Sequence, residues 1–357
     1  MQKVETVEEQ RTSMNSFTTR FQSKIEMAKS MREEEKLYRY NGVLYPVIIS
    51  PEENLRALET VEARSDDILL VAYPKCGFNW MVTILRKIIT ASTGEKVESK
   101  IPPLLEFFGP EMLQVSKKKL ALNLNRSLGI CLHLNSITNV YVVTNAHFLH
   151  IPHITSVLQL LHEAPSPRLL GTHMHPDNIP PSFYQKKTKM LVIFRNPKDT
   201  SVSFYHFSKK NPILPTVEPW DQFFIDFIGG EVPWGSYFDH ALAWEKQMND
   251  INVMIITFEE LKQDLKGSIQ MVAEFFGFKL TDAQIQTIAE ESTFDAMKKG
   301  SKDSHGQMGN VFFRKGEIGD WRNHFSQAQS EQMNATFEKH LGGTNLGARL
   351  NYDVYCK

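Results

Sequence analysis

Short runs of consecutive apolar residues recur along the chain, each followed by a polar loop and then a stretch of helical period. Ile68-Leu69-Leu70-Val71-Ala72-Tyr73 is one such run; Pro74-Lys75-Cys76-Gly77 follows it, and Trp80 to Leu85 opens a helical pattern. Met190 to Phe194 is the next, followed by Arg195-Asn196-Pro197-Lys198-Asp199 and an amphipathic stretch. Val253 to Ile256 precedes a helix expected from Phe258 to about Phe276. Apolar residues on consecutive positions are buried on both faces, so these runs predict strands of a parallel sheet. The fold class expected is α/β, a single domain with a central parallel sheet flanked by helices. In such sheets ligands bind at the carboxyl ends of the strands, where all of these loops fall.

Composition narrows the function. The chain has 357 residues, enough for a sizeable core in one large or two modest domains. Charged residues of both signs make up 23%, and the net charge is −1. No global basic field favours nucleic acid or a membrane surface, so an anionic ligand would have to be held by a local cluster of Lys and Arg. The first 36 or so residues are polar and charged, without the apolar stretch of a signal peptide, and no run of about 18 apolar residues occurs. Cys76, Cys131 and Cys356 are odd in number and far apart, which fits a reducing compartment such as the cytosol.

Three loops carry candidate chemistry. After the first strand, the free N–H groups of a helix start, together with Lys75, would make an anion cradle. The Lys precedes Gly77, so the order of a nucleoside-triphosphate loop is absent. Taken alone, the loop reads equally as an ordinary strand–helix turn with a solvated Lys. In the second loop, Arg195 stands at a strand end, Pro197 suits a first helical turn, and Ser203 lies eight residues beyond Arg195. The third, Phe312 to Trp321, has two glycines and two adjacent cations and reads as a flexible basic loop able to close over a ligand. A short strand in Arg168 to His175 would deliver His173 and His175 to the same edge, where either could accept a proton or be merely structural.

Together these residues resemble the cytosolic sulfotransferase family, and within it the 6B branch. The family's Tyr-Pro-Lys-Ser-Gly-Thr-Thr-Trp stands here as Tyr73 to Trp80; its Arg-Asn-x-Lys-Asp…Ser helix as Arg195 to Asp199 with Ser203; its Arg-Lys-Gly-x-x-Gly-Asp-Trp loop intact as Arg314 to Trp321. The resemblance spans roughly Asn41 to Lys357, with residues 1–40 as a charged N-terminal segment. It implies the P-loop-like sulfotransferase fold and transfer of a sulfuryl group from 3′-phosphoadenosine 5′-phosphosulfate (PAPS) to a hydroxyl or amine of a small, largely apolar acceptor, with no metal. It further implies that Lys75 and the amides of Cys76 to Trp80 hold the 5′-phosphosulfate. Arg195, Ser203, Arg314, Lys315 and Gly316 would hold the 3′-phosphate, and Trp80 and Phe294 would enclose the adenine, with Phe258, Ser292, Thr293 and Met297 around it. His173 would be the general base and Lys75 would stabilise the leaving phosphate.

Several positions depart from the family pattern. Gly171 stands where many members have Lys, Phe258 where a Tyr is common, and Phe78 and Asn79 replace the Thr pair. Cys76 replaces Ser and is a weaker donor. Weaker donor binding is therefore expected. The dimer motif survives only as Arg322…Ser326-Gln327…Glu331, so a homodimer through 322–331 is weakly implied.

Between Gln114 and Leu160 the resemblance lapses. Removing the 45 residues Val115 to Gln159 leaves a continuous family-like sequence. The segment begins Val-Ser and ends in Gln, which codons resembling a splice donor and acceptor can encode, and we read it as an in-frame retained intron or a gene-model error. His147, His150 and His153 are spaced like ligands on a helix, but Pro152 interrupts it and the segment has no carboxylate, so metal binding is not expected. Val140 to Thr144 is β-prone and uncharged, an aggregation liability. Phe107 and Phe108 are expected near the acceptor. Against an active enzyme stands a non-catalytic protein that holds PAPS, its product or a small molecule, impaired by the insertion; a nucleotide kinase is disfavoured by the Lys–Gly order.

Overall fold

The computed structural model describes residues 23–94, 104–107, 131–136, 139–144, 147–152, 166–217, 219–305 and 313–357. Two strands, β1 (Leu37–Tyr40) and β2 (Val43–Pro46), form an antiparallel hairpin. Its turn is Asn41-Gly42, both with positive φ, which matches the right-handed twist of the strands it joins. The boundary placed at Asn41 by the sequence therefore falls inside a hairpin. Chain before it also packs on the domain: Ala28 is buried with Ile48 and Ile213.

The centre is a four-stranded parallel sheet. After β3 (Ile68–Ala72) the chain runs through the helix Phe78–Thr93 and the three strands β4 (Cys131–Ser136), β5 (Asn139–Thr144) and β6 (His147–Pro152). It then returns as β7 (Leu169–Thr172), β8 (Lys189–Phe194) and β9 (Val253–Thr257). The sheet order is β7-β3-β8-β9. Every residue of β3 is buried, as its uninterrupted apolar run requires. Because β7 lies on one side of β3 and β8 on the other, the chain reverses direction across β3, and the carboxyl ends of these three strands form the switch point at which such sheets bind ligands. Lys75, His173 and Arg195 all follow those ends.

The stretch expected as one helix from Phe258 to Phe276 is two, Phe258–Gln263 and Leu265–Phe276. Asp264 leaves helical geometry (φ −139°, ψ 81°) and accepts a hydrogen bond from the Gly267 amide at 2.8 Å, capping the second helix.

The inserted segment has order of its own. β4, β5 and β6 form a separate antiparallel sheet, with the β-prone Val140–Thr144 in its middle strand. The helical spacing of histidines has no helix beneath it: His147 and His150 lie in β6, and His153 falls outside the described residues. None of these strands pairs with the central sheet. Deleting 115–159 shortens the connection between Phe107 and Arg168 about four-fold, which removes roughly 1 kcal/mol of loop-closure cost. The shortened chain is therefore expected to melt cooperatively at the same temperature as the full chain or slightly above it. A chain that no longer folds would place the segment in the core.

Candidate active site

The loop after β3 turns sharply. Lys75 adopts φ 71° and Gly77 φ 113°, the left-handed region that a Lys enters at a cost and a Gly enters freely. Gly77 then caps the helix Phe78–Thr93 without any side-chain cap, and the first helical bond runs from the Met81 amide to Gly77 O at 3.0 Å. The amides of Phe78, Asn79 and Trp80 are thus left for a ligand or water, at the positive end of a helix. Cys76 turns inward instead. It is fully buried, its Sγ lies 3.7 Å from Thr200 Oγ1, and its amide closes a turn onto Tyr73 O. Burial pushes its thiol up to about 12.

Lys75 is the centre of a cation cluster. Its ammonium stands over the Phe207 ring, 4.4 Å from the centroid. Burial, then the charges of Arg195 and Arg314, lower its pKa to about 7. Arg195 stacks its guanidinium on Phe258 at 4.4 Å and donates from Nη2 to Glu317 O at 2.6 Å, while its buried Nε has no hydrogen-bond partner. Arg314 and Lys315 both bond the carboxylate of Asp320, Lys315 at 2.6 Å. Burial raises the Asp320 carboxyl, but these cations outweigh it and hold the group below the usual carboxylate range. Gly316 (φ 67°) lies so close to Phe294 that a Cβ would overlap the ring. Ser203 sits partly exposed in the second turn of the helix Pro197–Lys210.

The basic loop is fixed by residues to which the sequence reading gave no role. Asp199 accepts from the Gly319 amide at 2.7 Å and the Trp321 amide at 3.0 Å. Asn196 caps the helix through the Asp199 amide and donates to Glu259 at 2.7 Å. Lys198 is completely buried; it bonds Cys356 O and Ser330 Oγ, each at 2.6 Å, and stands over the Trp321 ring. On the other side, Trp80 Nε1 donates to Ser292 O at 2.7 Å, tying the helix Phe78–Thr93 to the start of the helix Phe294–His305. Thr293 Oγ1 accepts from the Ala296 amide there, Met297 is buried, and the Phe294 ring lies 6.3 Å from that of Phe313.

His173 ends β7. Its Nδ1 is 2.7 Å from Ala72 O, which fixes the proton on Nδ1 and leaves the Nε2 lone pair free to accept a proton. Burial lowers its pKa to about 4, the nearby Lys75 charge adding to the effect, so the ring is neutral at physiological pH. Rings of Phe78, Trp234 and Phe107 surround it at 4.9, 5.4 and 6.4 Å. Phe108 lies outside the described residues. The second histidine is not brought there. His175 accepts from the Asp177 amide at 3.3 Å and lines a separate cleft of about 590 Å³ with Tyr184, Asp239 and Lys246.

Behind His173 lies Glu106. Fully buried, it accepts from the His173 amide at 2.8 Å and from Thr172 Oγ1 at 2.9 Å. Burial raises its pKa to about 7 against those bonds. The signal that could have found it is one carboxylate in the otherwise apolar run Leu104-Leu105-Glu106-Phe107.

The sulfotransferase domain matches residues 65–345. The chain belongs to the sulfotransferase family. Sulfotransferase 6B1 of Danio rerio is 49% identical over 340 residues, covering 95% of this sulfotransferase and all of the relative. Sulfotransferase 6B1 of Homo sapiens is 40% identical, covering 93% and 95%. Among solved structures, mouse sulfotransferase SULT7A1 complexed with PAP superposes with a TM-score of 0.69 at 29% identity, covering 90% of this chain and 99% of that one. Retinol dehydratase in complex with androsterone and inactive cofactor PAP shares the fold, with a TM-score of 0.63 at 20% identity, covering 86% and 89%.

Glu106→Ala strands two buried donors, at about 1–3 kcal/mol each. The expected result is a lower Tm and a kcat reduced about ten-fold or more, because His173 loses its backbone anchor. Glu106→Gln keeps the shape and one acceptor and should recover most of both. Melting curves and initial rates check this; an alanine variant with unchanged kcat contradicts it.

Proposed function

We propose that the protein transfers a sulfuryl group from PAPS to the hydroxyl or amine of a small, largely apolar acceptor, and that it does so in the cytosol. The observation that carries the reading is the convergence of Lys75, Arg195 and Arg314, where burial and then the two guanidinium charges lower the Lys75 pKa, beside a neutral imidazole. Like charges gathered in a half-buried site favour a ligand with several anionic groups. The unpartnered Arg195 Nε and the open amides of residues 78–80 supply donors for it. SULT7A1, similar in fold and sequence, was crystallised with PAP.

The donor's 5′-phosphosulfate would lie against Lys75 and the helix amides. Its 3′-phosphate would meet Arg195, Ser203, Arg314, Lys315 and the Gly316 amide, and its adenine would lie between Trp80 and Phe294. The acceptor hydroxyl gives its proton to His173 Nε2 as its oxygen bonds to sulfur. The bond from sulfur to the phosphate oxygen breaks, and Lys75 meets the charge left on that oxygen. Rings of Phe107 and Trp234 beside the base suit an apolar acceptor. The non-catalytic alternative is not favoured, since the cation cluster and the oriented base are both assembled. A homodimer through 322–331 belongs to the same proposal: Arg322, Gln327 and Glu331 are exposed there.

His173→Ala should lower kcat by about 10²–10⁴ and leave PAP affinity within about three-fold, read by radiolabelled transfer and calorimetry. Full transfer by that variant would sink the assignment of the base. The pH profile has a defined sign. His173 must be neutral, so kcat/KM rises through about pH 4; Lys75 must be charged, so kcat/KM falls through about pH 7 in the unliganded protein. A flat profile across neutrality contradicts the role given to Lys75.

A further inference from the structure

Gly171 lies in the middle of β7, opposite Leu70 of β3, in ordinary extended backbone with no positive φ. Nothing in the main chain requires a glycine, and a glycine inside a strand weakens it. A Cβ at this position would overlap the Cζ and Cε2 atoms of Phe78, while the nearest backbone atom, Leu70 O, would stand at a comfortable 3.6 Å. One side chain alone demands the glycine. Phe78 is the first residue of its helix, is 5% exposed, and meets His173 edge to face at 4.9 Å and 62°. It therefore fills the space that a side chain at 171 would occupy, two residues before the base.

We propose that Phe78 and Gly171 are one coupled pair, in which the ring takes the space a side chain at 171 would fill and Phe78 acts as a positioning residue for His173. The ring holds the imidazole against Ala72 O and keeps water from it. The inference rests on the sulfotransferase reading only for the role of His173; the packing of the pair does not depend on it. The charged and titratable groups that face His173 from neighbouring elements are Lys75, Glu106 and His240, and none of them changes in the variants below.

The test is a double-mutant cycle on the full chain: wild type, Gly171→Ala, Phe78→Ala and the pair together, read by thermal melting and by NMR titration of His173. Gly171→Ala should lower Tm by several degrees in the wild-type background and cost nothing, or raise Tm, once Phe78 is Ala. In Phe78→Ala the His173 midpoint should move from about 4 toward the ordinary 6.5, and the acid limb of kcat/KM should move with it. Phe78→Leu, which keeps most of the bulk, should shift less and guards against a variant that does not fold. Additive losses in Tm, or a His173 midpoint unmoved by Phe78→Ala, would overturn the proposal. Melting and titration need no turnover, so a wild-type protein that transfers no sulfate defeats the functional reading while the cycle still decides the pair.

Discussion

The carboxylate of Asp199 is the contact on which the anion site depends. It joins two stretches of chain about 120 residues apart by accepting the amides of Gly319 and Trp321, so the basic loop at Arg314 and Lys315 is held on the loop that carries Arg195. Each bond to an ionised acceptor is worth about 1.5–3 kcal/mol. That offsets the unfavourable gathering of cations, whose charges add to burial in lowering the Lys75 pKa. The neighbouring residues reinforce the same joint: Asn196 orients Asp199, Glu259 orients Asn196, and buried Lys198 draws in the C-terminus at Cys356.

The His173 side obeys a different rule. There the environment is apolar, and the imidazole is kept neutral chiefly by burial, with the Lys75 charge adding to the effect. The Ala72 carbonyl sets its tautomer, Glu106 holds its backbone, and three aromatic rings close around it. The site is thus divided into a cationic half that suits the donor and an apolar half that suits the acceptor, and sulfur would pass between them.

Much of this was legible in the sequence because it depends on local pattern. The continuous apolar runs gave β3, β8 and β9, and the phosphate-type loops lie at their ends, as strand order requires. What stayed hidden depends on contacts between distant residues. Glu106 reads as an oddity in an apolar run until β7 brings Thr172 and His173 to it. Asp199 looks like a helix-start acid until the late loop folds onto it. The likeness of His173 and His175 in sequence says nothing of their separation, because residues beyond the end of a strand no longer share its edge. Other misses were readable. Asn41-Gly42 between apolar runs is a hairpin signal, and Asp264 before a second helical stretch is a cap. Phe78 and Gly171 stood out separately in the sequence, but only the packing joins them.

The central claim is that the cluster around Lys75 awaits a polyanion, and proton uptake on binding tests it most directly. At about pH 8 the 3′-phosphate of PAP is fully ionised, so it contributes no proton change of its own. Calorimetric titration with PAP in buffers of different ionisation enthalpy should show uptake of about one proton per PAP bound, as the anions restore the charge of Lys75. That uptake should vanish in Lys75→Met. Binding without proton uptake, uptake that survives the substitution, or no binding of PAP at all would contradict the claim.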